Sequence, residues 1–132
     1  MTWVEVFTVY LVCHAVGDFL LQTEFQATRK AGGLGRDPVA RRALFSHLST
    51  YSLSFVPAFI WIGSKQSAGR LIATIAIVTL THLVQDDRRL LYRYTVTVKK
   101  ADPPPDHPLW IFIDQSFHLV WLFGAALVAA AT

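Results

Sequence analysis

Cross-linking chemistry is nearly absent from this chain. Its single cysteine, Cys13, permits no internal disulfide and offers no thiolate pair to a metal. No basic residue follows Met1 and Glu5 comes early, so a cleavable signal peptide is not expected. The stretch Ala31-Gly32-Gly33-Leu34-Gly35 lacks the Gly-Lys-Ser/Thr ending of a phosphate-binding loop and reads as a flexible joint. There are no internal repeats and no second domain. Basic residues form no known reader motif, so nucleic acid is not expected as a partner.

Apolar surface, by contrast, is abundant. The 132 residues are 53% hydrophobic with a mean hydropathy of +0.40, above the roughly 45–50% apolar share of a typical soluble domain. A spanning helix needs about 20 mostly apolar residues. Four stretches qualify at least approximately: 3–21, 44–62, 70–86 and 109–131, the third being the shortest. The expected fold class is therefore all-α: a multi-pass membrane protein forming a four-helix transmembrane bundle, one integral-membrane domain over residues 1–132.

Charge then sets orientation. Of 12 Lys and Arg residues, Arg29, Lys30, Arg36, Arg41 and Arg42 fall between the first two spans, and Arg88, Arg89, Arg93, Lys99 and Lys100 between the last two. Only Lys65 and Arg70 lie near the middle connection, and neither terminus carries any. The positive-inside rule puts the two basic loops in the cytoplasm and both termini outside, in a plasma (inner) membrane. The net charge of +3 is thereby read as topology, with attraction to anionic membrane lipids as a secondary effect.

Seven ionisable side chains then stand out within the apolar stretches: His14, Asp18, His47, His82, Asp86, Asp114 and His118. Each costs from about 2.5 kcal/mol upward in a bilayer unless partnered. In the expected topology all seven fall in the cytoplasmic half. Three pairs are spaced by four residues (His14 and Asp18, His82 and Asp86, Asp114 and His118), which sets each pair about 40° apart on one helix face. A bundle can aim such faces at a shared centre, as di-metal bundles do. A metal site is the common reason.

Imidazole and carboxylate together suit a divalent transition metal, zinc first and manganese or iron as alternatives. A closed site needs about four ligands, and seven candidates exceed that. The surplus reads as a second ion or as groups that orient the ligating histidines. Gln22, Gln85, Gln115 and Asp87 are candidates to support the ligands from outside. Arg42, Arg88 and Arg89 lie at the rim where a lipid phosphate would sit. Plainer readings exist for several positions. A lone histidine such as His47 is more often a hydrogen-bonded bundle residue, Asp86 and Asp87 before Arg88 and Arg89 make a helix end with local ion pairs, and His107 reads as solvated. Gly17 reads as a point of close helix approach, and Tyr92 to Val98 as a short strand or interfacial stretch.

The patterns His14-Ala-Val-Gly-Asp18-Phe-Leu-Leu-Gln22, then His47, then Thr81-His82-Leu-Val-Gln-Asp86, then Asp114-Gln115-Ser-Phe-His118 resemble a family of small bacterial membrane proteins, domain of unknown function 3307. That resemblance covers essentially the whole chain and implies a helical membrane protein without implying an activity. A looser similarity runs to membrane-bound metal-dependent hydrolases.

Three function classes follow. The leading one is a membrane-embedded metal-dependent hydrolase acting from the cytoplasmic side on a lipid or lipid-linked phosphate, with Asp18, Asp86 or Asp114 as ligand or general base. The second is a metal-ion or proton transport or binding protein using the same cluster. The third is a b-type cytochrome with histidine pairs on haem, disfavoured by carboxylates beside three of those histidines.

Overall fold

The computed structural model describes residues 1–131, and Thr132, the last residue of the expected single domain, lies outside them. Among the described residues there are seven α-helices, one π-helical segment and no strand. Helix α1 (Trp3–Ala15) runs directly into the π-helical segment Val16–Leu20, and α2 (Glu24–Arg29) is a short helix in the first basic loop. Then come α3 (Pro38–Ser54), α4 (Val56–Gly63), α5 (Ala68–Asp86), α6 (Arg89–Thr97) and α7 (Leu109–Ala130).

Trp3–Leu20, Ala68–Asp86 and Leu109–Ala130 are each long and apolar enough to cross a membrane, and α3 with α4 makes a fourth if the pair, bent by 48°, is one span. The stretch expected at 44–62 is thus a broken helix that begins earlier, at Pro38. Pro57 explains the break: it has no N–H for the Leu53 carbonyl and its ring crowds that carbonyl. The ladder tightens there, with Phe55 N–H bonding Ser52 O at 3.1 Å, and resumes with Phe59 N–H to Phe55 O at 2.9 Å.

Two local expectations are corrected. Tyr92 to Val98 is not a strand, because Leu91 and Thr95, four residues apart, are the buried positions of α6 while Tyr92 and Arg93 face outward. The glycine stretch 31–35 is a pinned turn and not a flexible joint. Gly32, at φ +77°, gives its N–H to the Asp87 carbonyl at 2.9 Å, and a Cβ on Gly33 would sit 2.6 Å from Leu44 Cβ.

The four long elements close into a ring. Helix α7 packs between α1 and α5, and α3 with α4 fills the opposite side against the same two helices. Ala125, Ala126 and Ala129 let α7 come close to its neighbours. The apolar part of the core is Val6, Tyr10, Phe55, Ala58, Ile62, Val78 and Leu122. The outer face is apolar as well: Ile60 is 69% exposed, Ile72 66%, Phe112 71% and Val120 63%. A soluble monomer seldom presents so continuous an apolar exterior, whereas lipid welcomes it.

The two basic loops meet at one end of the bundle, where Leu34 N–H reaches Asp87 Oδ1 at 2.7 Å. At the opposite end the Arg70 guanidinium, just past the 64–67 turn, reaches the Ala131 carbonyl.

Candidate metal centre

Each element presents its functional side chain for a local reason. Helix α1 starts with a capping box in which Thr2 accepts from Glu5 N–H and Glu5 accepts from Thr2 N–H. Its last turn carries His14. The helix then widens, Leu21 N–H bonding Val16 O at 2.9 Å, and this π turn swings Asp18 inward. Gly17 makes the approach possible, since a Cβ there would lie 2.7 Å from Tyr51 Cδ2 and 2.9 Å from Ser54 Oγ. Helix α3 starts with an Asp37 cap and Pro38, which sets His47 inside the bundle. Helix α5 brings His82 and Asp86 in its last turn and stops at Arg88, whose backbone is left-handed at φ 63°.

Four ligand-type atoms converge. His47 Nε2 lies 3.1 Å from Asp18 Oδ1, 3.0 Å from Asp86 Oδ2 and 3.0 Å from His82 Nε2. His82 Nε2 lies 3.1 Å from Asp86 Oδ2 and 3.5 Å from Asp18 Oδ1. All four residues are buried, from 0% exposed for His47 to 7% for Asp18. Zinc bonds of about 2.0–2.2 Å in tetrahedral array put ligand atoms about 3.3–3.6 Å apart, within a few tenths of an ångström of these separations. Hydrogen bonding alone does not account for them. Carboxylates only accept and each Nε2 carries at most one proton, so at most two protons face these five contacts. Asp18, His47, His82 and Asp86 therefore form a group that can hold a metal ion, and Asp86, Asp114 and His118 form a second, smaller group.

The remaining histidines set the ring orientations. His118 Nδ1 lies 2.9 Å from the Asp114 carbonyl, which only accepts, so Nδ1 carries the proton. With the ring neutral, His118 Nε2 is then an acceptor, and His82 Nδ1 donates to it at 2.9 Å. That leaves the His82 Nε2 lone pair facing the centre, as a ligand requires. His14 is fixed from both sides. The Gln115 amide nitrogen faces Asp18 Oδ2 at 3.3 Å, so its oxygen faces His14 Nε2 at 2.8 Å and takes the Nε2 proton. Tyr51 O–H then donates to His14 Nδ1 at 3.1 Å. His14 lies outside both ligand groups. The Tyr51 ring also stacks on His82, with centroids 3.4 Å apart and planes 9° from parallel. His47 Nδ1 is buried and has no hydrogen-bond partner.

Two participants escape a sequence reading. Lys30 is 3% exposed and its Nζ lies 2.8 Å from Asp86 Oδ2. It is one of five similar loop cations, and no spacing singles it out. Tyr51 does carry a signal, since it stands four residues after His47 on the same helix face.

A cleft of about 330 Å³ reaches this cluster from the end that holds the basic loops, lined by Asp18, Gln22, Lys30, Arg88, Asp114 and Gln115 among others. Asp114 Oδ1 is buried and, among the described residues, accepts no hydrogen bond, with His118 Nδ1 3.8 Å away. Gln22 bonds the Asp18 carbonyl at 3.2 Å. Gln85 is buried with neither amide atom paired, and it lines an apolar groove between α5, α6 and α7. Asp87 accepts from Leu34 and pairs with Arg89 at 2.6 Å, and that bond raises the Arg89 guanidinium above its ordinary pKa. Arg42 is exposed on the first turns of α3, and His107 is exposed. Of the three rim arginines only Arg88 lines the cleft.

A family model described as Protein of unknown function (DUF3307) matches residues 6–132. No curated protein and no solved structure matches the chain. None of these comparisons supports the looser likeness to membrane-bound metal-dependent hydrolases.

Proposed function

The chain belongs to the DUF3307 family, and because that description names no activity, we propose from the site alone that the protein is a membrane-embedded metal-dependent hydrolase of a lipid or lipid-linked phosphate. The observation that carries this reading is the convergence of Asp18, His47, His82 and Asp86 at ligand spacing beside a cleft that Lys30, Arg88 and Asp114 help to line. One divalent ion, zinc first, is held by these four residues. When bound, it supplies Lewis-acid polarisation of a phosphoryl oxygen and of water.

The chain's own residues do the rest. Asp114 lines the same cleft, and its Oδ1, covered in this structure, accepts no hydrogen bond. It takes the proton of the attacking water and returns it to the alcohol oxygen as the phosphorus–oxygen ester bond breaks. Arg88 holds the anionic group at the cleft wall. His118 and Tyr51 hold His82, and Gln115 holds Asp18 and His14. The positive-inside rule turns the cleft toward the cytoplasmic leaflet, where an anionic head group enters past the basic loops.

The interior favours a one-sided site over a transport path. Toward the end bearing the termini, the bundle is filled by Val6, Phe55, Ile62, Val78, Leu122 and Ala126, with Tyr10 and Thr74 as the polar side chains among the fully buried ones. A haem plane does not fit between His47 and His82, whose Nε2 atoms are 3.0 Å apart with Asp18 and Asp86 around them.

The test is turnover in bilayers. Metal-loaded protein in vesicles is incubated with a panel of phospholipids and isoprenoid-linked phosphates, and released phosphate or alcohol is measured. Asp114→Asn should cut turnover by about 10²–10⁴-fold with metal content unchanged. If no substrate is consumed faster than by that variant, and vesicle metal flux depends on His47 and Asp86, the transport reading replaces this one.

A further inference from the structure

Lys30 is placed where two demands meet. Its ammonium is buried, and its one ion-pair partner among the described residues is Asp86 Oδ2 at 2.8 Å. That same oxygen lies 3.0 Å from His47 Nε2 and 3.1 Å from His82 Nε2, so it belongs to the ligand group as well. Lys30 also lines the cleft, together with Arg88 and Asp114. Its backbone is anchored: it caps α2, with its N–H on the Gln26 carbonyl at 3.2 Å. Gln26 is in turn bonded to Thr23 and to Ser46 on α3. The root of the long side chain is thus fixed, and its ammonium ends between Asp86 and the cleft.

We propose that Lys30 is a shared group, bonded to Asp86 until a divalent ion binds there and then turned into the cleft to hold the phosphate group of the substrate, so that metal and phosphate reinforce each other's binding. This deepens the reading above and rests on it. A dication at the four ligands would stand against the ammonium across a single oxygen, in a buried site where screening is weak. The ammonium is a compact charge with three donors on a four-carbon stem, so it relocates without loss of the fold. In the cleft it joins Arg88, and two cations on one wall match a phosphate ester. Arg88 itself sits at φ 63°, a backbone region that favours glycine.

Linkage makes this measurable, because coupling between two ligands is reciprocal. Zinc affinity of the chelator-stripped protein in nanodiscs of neutral lipid is measured at buffered free zinc, with and without inorganic phosphate. It is then measured in nanodiscs containing phosphatidic acid. Phosphate, or phosphatidic acid, should tighten zinc by about ten-fold. A response to both marks a site open to free phosphate, and a response to phosphatidic acid alone marks one fed from the lipid. Lys30→Met should bind zinc more tightly than the unmodified protein and show several-fold weaker coupling, the remainder coming from the ion's own attraction for the phosphate. A second measurement needs no variant: amine-reactive labelling of Lys30, read by mass spectrometry, should rise with zinc and fall again on adding phosphate. Zinc that binds without coupling to either phosphate source, or coupling that is undiminished in Lys30→Met, overturns the role of Lys30 alone. Zinc that does not bind the unmodified protein overturns the metal reading and this inference together.

Discussion

An imidazole ring has two nitrogens, and the partner of one decides what the other is free to do. His82 and His118 illustrate this: the Asp114 carbonyl fixes the His118 proton, and His118 then fixes the His82 proton. His118→Ala should therefore weaken zinc about 10–100-fold without removing the site, the usual cost of deleting an orienting partner. His82→Ala or Asp86→Ala should abolish stoichiometric metal. His14→Ala should leave one ion per chain, because both of its nitrogens serve Tyr51 and Gln115. Zinc titrations of the purified variants, compared side by side, check this ranking. Equal loss from His14→Ala and His82→Ala would contradict it.

At the scale of elements, the i to i+4 pairs were readable because helical period alone brings them to one face. What they do there was not. His14 and Asp18 look alike in the sequence to the other two pairs, yet the helix opens into a π turn between Val16 and Leu20, and although both side chains bond Gln115, only Asp18 reaches His47. Hydropathy showed a second span but not its break, because apolar averaging is blind to the single missing N–H of Pro57. Alternation over 92–98 suggested a strand, and burial of Leu91 and Thr95 settled a helix. Gly17 links element and site. Gly17→Ala places a methyl 2.7 Å from the Tyr51 ring, which stacks on His82. It should destabilise the protein by about 1–3 kcal/mol, the scale of overpacking, and weaken zinc at the same time. Thermal unfolding with and without zinc measures both, and an unchanged midpoint in both conditions would contradict the close packing.

For the whole molecule, the distribution of charge and the path of the chain agree. Ten of the 12 basic residues lie in the two connections that touch through Leu34 and Asp87 or on the first turns of α3 beside them, while Arg70 lies at the other end beside Ala131. Reporter fusions near Ala131 and within residues 31–35 should fall on opposite sides of the membrane, the second in the cytoplasm. Both on one side would contradict the topology. Lys30 was hidden at this scale, since a count of loop cations treats it like Arg36 or Arg41, and only tertiary packing sets it on Asp86. The central claim is the ion itself. The direct measurement is elemental analysis of protein purified without added metal or chelator, alongside Asp86→Ala prepared in the same way. One equivalent of a divalent transition metal per chain, lost in the variant, is the expected result. Background metal in the unmodified protein, or equal metal in both, would contradict it.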